Sequence, residues 1–178
     1  MVLGDFLLVL CLLGVVFSAL LFLASSSGDK KTLSWAKKIY YLTFLFGLLA
    51  TADLFYLFLT HNFQTSYVYG YSSTDLPFFY LISSFWAGQE GTFLLWLFIG
   101  LLLGLFLIRK KDDQLQAHTM FFYLLVQVFL LVLLLKKSPF ALSADIPPEG
   151  KGLNPLLKDP WMVSHPPLVF VGYAGIVY

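Results

Sequence analysis

The stretch FLLVLCLLGVVFSALLFLA, Phe6–Ala24, carries no charged side chain over nineteen residues. A transmembrane helix needs about 20 apolar residues at 1.5 Å rise each. With the residues just before it, the run reads as a membrane span over 2–24. It is expected to be a retained span and not a secretory leader: the start Met1-Val2-Leu3-Gly4-Asp5 holds no Lys or Arg. The apolar run also exceeds the roughly 7–15 residues of a leader core.

The rest of the chain repeats this reading. Residues 39–60 and 115–135 are spans of similar length. The stretch 78–108 is too long for one untilted span. Its second part, Thr92–Ile108, is almost purely apolar and forms the membrane core. Its first part, Pro77–Gly91, holds Ser83, Ser84, Gln89 and Glu90 and reads as an interfacial or cavity-lining helix feeding the span. A fifth helix is expected to start at Pro166, and the thirteen residues from there to Tyr178 are too few to cross a bilayer. The expected fold is therefore an all-α integral membrane protein with about four complete transmembrane helices, the start of a fifth, and the N-terminus outside. The 178 residues read as one N-terminal multi-span domain of something longer, or a subunit completed by partners.

Composition agrees. Of the 178 residues 59% are hydrophobic and 12% charged, against about 25% charged in a soluble domain; mean hydropathy is +0.82. Eleven Lys and Arg balance ten Asp and Glu, so no basic surface argues for nucleic acid. Cys11 is the single cysteine, which excludes an internal disulfide.

Orientation follows from the lysines. Lys30, Lys31, Lys37, Lys38, Arg109, Lys110 and Lys111 fall on one side. Lys136, Lys137, Lys151 and Lys158 fall on the other, seven against four. This places 61–77 and 136–165 outside. Both loops are long and rich in specific side chains; five prolines lie between Ser138 and Ser164. Long loops of this kind are commonly functional.

Three histidines are candidates. His61 ends the second span, His118 lies near the inner end of the fourth, and His165 precedes Pro166-Pro167. No two share a helix at metal-ligand spacing. Proline favours the first helical position and disfavours helix in the residue before it. His165 is thus expected at a helix N-cap, where the dipole favours neutral imidazole. Neutral imidazole binds metals, and the place suits an axial haem ligand. An interfacial histidine bonded to a backbone carbonyl fits the same sequence. Asp53 inside the second span is a functional candidate by cost alone; Gln127 at similar depth is its expected hydrogen-bond partner. Gly100-Leu-Leu-Leu-Gly104 is a close-packing signal.

Three segments together resemble a known family. They are Asn62-Phe63 through Leu76-Pro77; Trp86-Ala87-Gly88-Gln89-Glu90-Gly91-Thr92-Phe93-Leu94-Leu95-Trp96; and Ser138-Pro139-Phe140 through Leu153-Asn154-Pro155, Asp159-Pro160, His165-Pro166-Pro167-Leu168 and Gly172-Tyr173-Ala174-Gly175. They are similar to the N-terminal part of the haem lyases of cytochrome c maturation (CcmF type, System I). The resemblance covers most of 60–178. It implies a multi-pass protein of the bacterial inner (cytoplasmic) membrane with its working face on the periplasmic side. It implies haem, as haem b, taken from a periplasmic haem chaperone and attached through thioether bonds to a Cys-x-x-Cys-His apocytochrome c. It implies holocytochrome c synthase activity shared with other maturation subunits or a further C-terminal part, in a lipid bilayer. His165 maps onto an outer axial ligand to the haem iron. Pro166, Pro167, Trp86, Glu90 and Trp96 belong to the same motifs, with Trp86 and Trp96 nearly on one face of a continuous helix and Glu90 as helix cap or loop support. No residue is identified as catalytic. The family often has histidine where this chain has Gln89, and the family's tryptophan-rich haem platform is not in this segment. The alternative is a non-enzymatic membrane scaffold or transporter subunit, and Asp53 and Gln127 alone support quinone or ion chemistry.

Overall fold

The computed structural model describes residues 2–109, 113–144 and 147–176; Lys110 and Lys111 of the expected basic loop lie outside these. Seven α-helices follow in order: α1 Leu3–Ser25, α2 Lys30–Leu59, α3 Ser66–Tyr71, α4 Phe78–Ser84, α5 Gln89–Leu107, α6 Asp113–Lys136 and α7 Pro160–Ile176, with a 3-10 turn at Pro155–Leu157 before α7. Among the described residues there is no strand, only an isolated antiparallel bridge between Thr65 and Leu142. Helices α1, α2, α5 and α6 are each long and apolar enough to cross a membrane. The protein is a multi-pass helical membrane protein.

Helix α1 packs between α2 and α6, and α5 packs against α2, α6 and α7. Tyr40 and Tyr123 are fully buried where these helices meet. Their hydroxyls donate to the carbonyls of Leu101 (2.6 Å) and Gly100 (2.8 Å) on α5. Gly100 and Gly104 make room for this: a Cβ at Gly100 would strike the Gln127 amide, and one at Gly104 the Tyr40 hydroxyl. The small-residue motif thus admits polar side chains from α2 and α6 that hydrogen-bond to α5.

Three expectations are corrected. Helix α2 begins at Lys30, so the loop expected over 25–38 shrinks to a tight turn closed by Gly28 at φ 93°. Asp29 caps it, accepting from the Lys31 amide (2.9 Å) and the Thr32 hydroxyl (2.5 Å). At 30 residues α2 is about 45 Å long, so its first turns with Lys30, Lys31, Lys37 and Lys38 extend past a hydrocarbon core of about 30 Å.

Second, Pro77–Gly91 is not one helix feeding the span. Helix α4 ends at Ser84, the chain turns through Phe85–Gly88, and α5 starts afresh at Gln89. Trp86 and Trp96 therefore do not share a helix face. Third, Asp53 and Gln127 do not bond each other. Asp53 Oδ2 and Gln127 Oε1 are each buried without a partner. Val2, the N-cap of α1, offers no side chain to the orphan amides there.

Candidate functional site

One end of the bundle carries the starts of α1, α5 and α7 and the ends of α2 and α6. Here the two long loops join into one cap. The Ser66 amide donates to Ala141 O (2.8 Å), the Ser143 amide to Gln64 O (2.8 Å), the Lys151 amide to Tyr69 O (2.8 Å) and the Gly152 amide to Ser72 O (3.0 Å). Glu149 accepts from the Thr74 amide (2.9 Å) and hydroxyl (2.6 Å). These bonds hold the Glu149 carboxyl below its usual range. Ser138 donates to Asp5, fixing α1 to the cap, and the Phe140 ring fills the space a Cβ at Gly4 would occupy.

Beneath the cap lies the elbow between α4 and α5. Tyr67 is buried at its centre. Its hydroxyl donates to Phe85 O (2.9 Å) and accepts from the Gly88 amide (3.0 Å); burial pushes its pKa well up. A Cβ at Gly91 would collide with Phe85 O and the Tyr67 hydroxyl, and one at Gly88 with the Tyr71 ring. The glycines of the Trp86–Gly91 motif therefore serve close approach of the tyrosines. Thr92 Oγ1 closes the first turn of α5 on Gly88 O (2.6 Å).

Glu90, in that first turn, neither caps the helix nor holds a loop amide. It pairs with Lys137 at 3.1 Å. Lys137 also donates to Gln89 Oε1 (3.3 Å). Lys137 stood against the charge count; beside an acid on the facing helix it is a structural cation. Trp96 packs on α7, its ring 5.9 Å from Phe170 and 5.6 Å from Tyr173. Lys151 lies over the Tyr69 ring at 5.2 Å.

His165 is not an N-cap. Helix α7 starts at Pro160, six residues before Pro166, and both Pro166 and Pro167 lie inside it. Asp159 caps this start, accepting from the Trp161 amide at 2.8 Å. Asp159-Pro160 is the same cap-and-proline signature, read at the wrong proline. Once α7 is nucleated there, the helix overrides the local bias of a residue before proline. The two prolines remove the amides that would reach the carbonyls of Met162 and Val163. His165 stands on the outward turn of α7, exposed, with no hydrogen bond from its ring among the described residues. The expected carbonyl partner is not there.

Against α7 lies a small cavity of about 50 Å³ lined by Ser83, Trp86, Ala87, Leu153, Leu157, Met162 and Pro166. Trp86 Nε1 is buried without a partner. A larger groove of about 480 Å³ runs over the cap between 73–75 and 149–158, with Lys151 and Lys158 on it. No group of three or more His, Cys, Asp or Glu is placed to hold a metal ion among the described residues. Sequence reasoning missed Tyr67 and the Lys137 pair. The signal for the second was present: a lysine on the wrong side of the membrane, opposite an acid at the start of the adjacent span.

Fold and site thus define a multi-span membrane protein with a folded cap at one end and an exposed histidine on α7. The cytochrome C assembly protein family matches residues 86–178, and the chain belongs to it. It is 33% identical to the cytochrome c-type biogenesis protein CcmF of Pseudomonas fluorescens over 97% of this chain and 27% of that protein. It is 34% identical to the cytochrome c-type biogenesis protein NrfE of Haemophilus influenzae over 97% of this chain and 28% of that one. A solved structure titled Cytochrome c Heme Lyase CcmF superposes with a TM-score of 0.79 at 25% identity, covering 98% of this chain and 28% of that chain. The chain spans about a quarter of the length of the relatives it matches.

Proposed function

We propose that this chain is the haem-presenting N-terminal part of a cytochrome c haem lyase, with His165 as an axial ligand on the outer face. The observation that carries the reading is His165 itself. Its imidazole is exposed on α7, and its ring makes no hydrogen bond among the described residues. An exposed imidazole nitrogen of this kind fits an axial ligand to the iron of a porphyrin.

Haem b is the substrate. Joining it to a Cys-x-x-Cys-His apocytochrome c adds each thiol across a vinyl double bond, sulfur to one carbon and hydrogen to the other. In this reading the chain binds and orients. His165 holds iron, Pro166 and Pro167 set the turn of α7 that carries it, and Trp86 borders the porphyrin. Glu90 holds the loop after α6 through Lys137, and Trp96 holds α7 against α5. Positioning of this kind accounts for a large part of a rate. The working face is the periplasmic side of a bacterial inner membrane, consistent with the basic start of α2 at the opposite end. Haem arrives from a periplasmic chaperone, and the second ligand comes from a further C-terminal part or another maturation subunit.

Cytochrome c maturation in cells that depend on this protein is the test, read by covalent haem staining with His165→Ala. Loss of stained cytochrome with normal levels of the variant in the membrane is expected. Undiminished staining would remove His165 from the site, and a purified complex free of haem would return the protein to a scaffold role.

A further inference from the structure

The end of the bundle opposite the cap carries a basic groove that the haem reading does not use. It encloses about 390 Å³ along one face of α2 and is lined by Lys30, Leu33, Ser34, Lys37, Lys38 and Tyr41. These positions recur at steps of three and four, so they form one stripe on the helix. Past Tyr41 the same stripe runs on as Leu45 and Leu48, both exposed. A single helix face thus passes from cations, through a tyrosine, to bare leucines. A phospholipid has the same order: phosphate, ester groups, acyl chains.

The change falls at the right depth. Tyr40 lies against Gly104, about one turn before α5 ends at Leu107. Lys37 and Lys38 are therefore level with the end of that span, where headgroups lie. Trp35 and Tyr41 are exposed at the same level, as aromatic side chains at a membrane interface are, and Lys38 lies over the Trp35 ring at 4.8 Å.

The charge here is not balanced within the protein. On this side the sequence over 25–41 and 107–118 holds seven Lys and Arg against three acids, Asp29, Asp112 and Asp113. Among the described residues no acid lines the groove, and no carboxylate pairs with Lys30, Lys37 or Lys38, whereas Lys137 at the other end has Glu90. Lys37 is half-buried all the same. Membrane orientation accounts for an excess of lysine on one side. It does not call for lysines in register above a track of exposed leucines.

We propose that this face of α2 binds an anionic phospholipid of the adjoining leaflet. Its phosphate sits among Lys30, Ser34, Lys37 and Lys38, and one acyl chain follows Leu45 and Leu48. Charge complementarity selects the headgroup, and the leucine track separates a lipid from a free anion. The site is independent of the haem reading. It would hold the part of α2 that extends past the hydrocarbon core against the membrane surface.

Native mass spectra of the purified protein test this, with dioleoyl phosphatidylglycerol and dioleoyl phosphatidylcholine titrated into non-ionic detergent. Phosphatidylglycerol is expected to bind roughly tenfold more tightly, on the scale of lysines facing an anionic headgroup. Lys37→Gln combined with Lys38→Gln brings it down to the phosphatidylcholine level, and Lys136→Gln, at the capped end, changes nothing. Equal binding of the two lipids to the wild type overturns the proposal. An equal loss with Arg109→Gln also overturns it, since that reads a diffuse field and no site. Displacement of phosphatidylglycerol by millimolar inorganic phosphate would overturn it in favour of a free-anion site. Should the double variant fail to insert, acetylation of the wild-type lysines decides. Phosphatidylglycerol is expected to slow modification of Lys37 and Lys38 relative to phosphatidylcholine and to leave Lys136 unchanged; equal rates in the two lipids end the proposal.

Discussion

Tyr67 shows how single side chains hold the site together. Its hydroxyl is both donor to Phe85 O and acceptor from the Gly88 amide, so it fixes both sides of the elbow that carries Trp86. Tyr67→Phe leaves two buried backbone groups without their partner, at about 1–3 kcal/mol. Thermal unfolding in detergent is expected to fall accordingly, with faster hydrogen exchange at Gly88; unchanged exchange there would contradict the role. Asp53 does not bond Gln127, and its Oδ2 is buried without a partner. Activity that fails in Asp53→Asn with stability intact would point to a needed charge there. His61 ends α2 in the left-handed region at φ 50°, its amide reaching Phe58 O (3.1 Å) and that of Asn62 reaching Leu57 O (3.0 Å). This is the ending glycine usually serves, and histidine is among the residues that tolerate it.

The helices were legible wherever hydrophobicity alone decides them. The apolar cores of α1, α2, α5 and α6 stand out because a membrane demands length and apolarity and little else. What was not legible is where polar helix ends begin. Lys30–Lys38 continues α2 although its composition reads as loop, because the Asp29 cap nucleates the helix ahead of the membrane. The start of α7 was sought at Pro166, when Asp159-Pro160 offers the same chemistry earlier. The break at Phe85–Gly88 depends on Tyr67 from a distant loop, which no local pattern reveals. The cap between the two loops has its own pH dependence. The Glu149 carboxyl is held below its usual range by its bonds to Thr74 and Gly150. Its contribution is complete above the ordinary carboxylate pKa and is lost as pH falls through the lowered one. Exchange at the Lys151 and Gly152 amides should therefore be slow at neutral pH and accelerate on the acid side. Glu149→Gln is expected to show the fast exchange at neutral pH already. Between helices, Gly104→Ala would push its methyl into the Tyr40 hydroxyl and is expected to destabilise by about 1–3 kcal/mol; a neutral effect in detergent unfolding would mean that α2 and α5 can separate freely.

For the molecule as a whole, the four spans act as a frame that brings α7 and the elbow together at one end. Cap, elbow and α7 come from segments far apart in sequence, so only the motifs hinted at a shared site, and a family resemblance joined them before any contact was visible. His165 lies within α7 and not at its N-cap, because the helix already starts at Pro160. The exposed ring on the turn of α7 that also carries Pro166 remains the point on which the functional reading depends. The most direct measurement is the haem content of the purified protein, read as the pyridine haemochrome spectrum, for wild type, His165→Ala and His118→Ala, with imidazole added back. The expected result is haem in the wild type and in His118→Ala, loss to background in His165→Ala, and recovery with imidazole. Equal haem in all three would contradict the account.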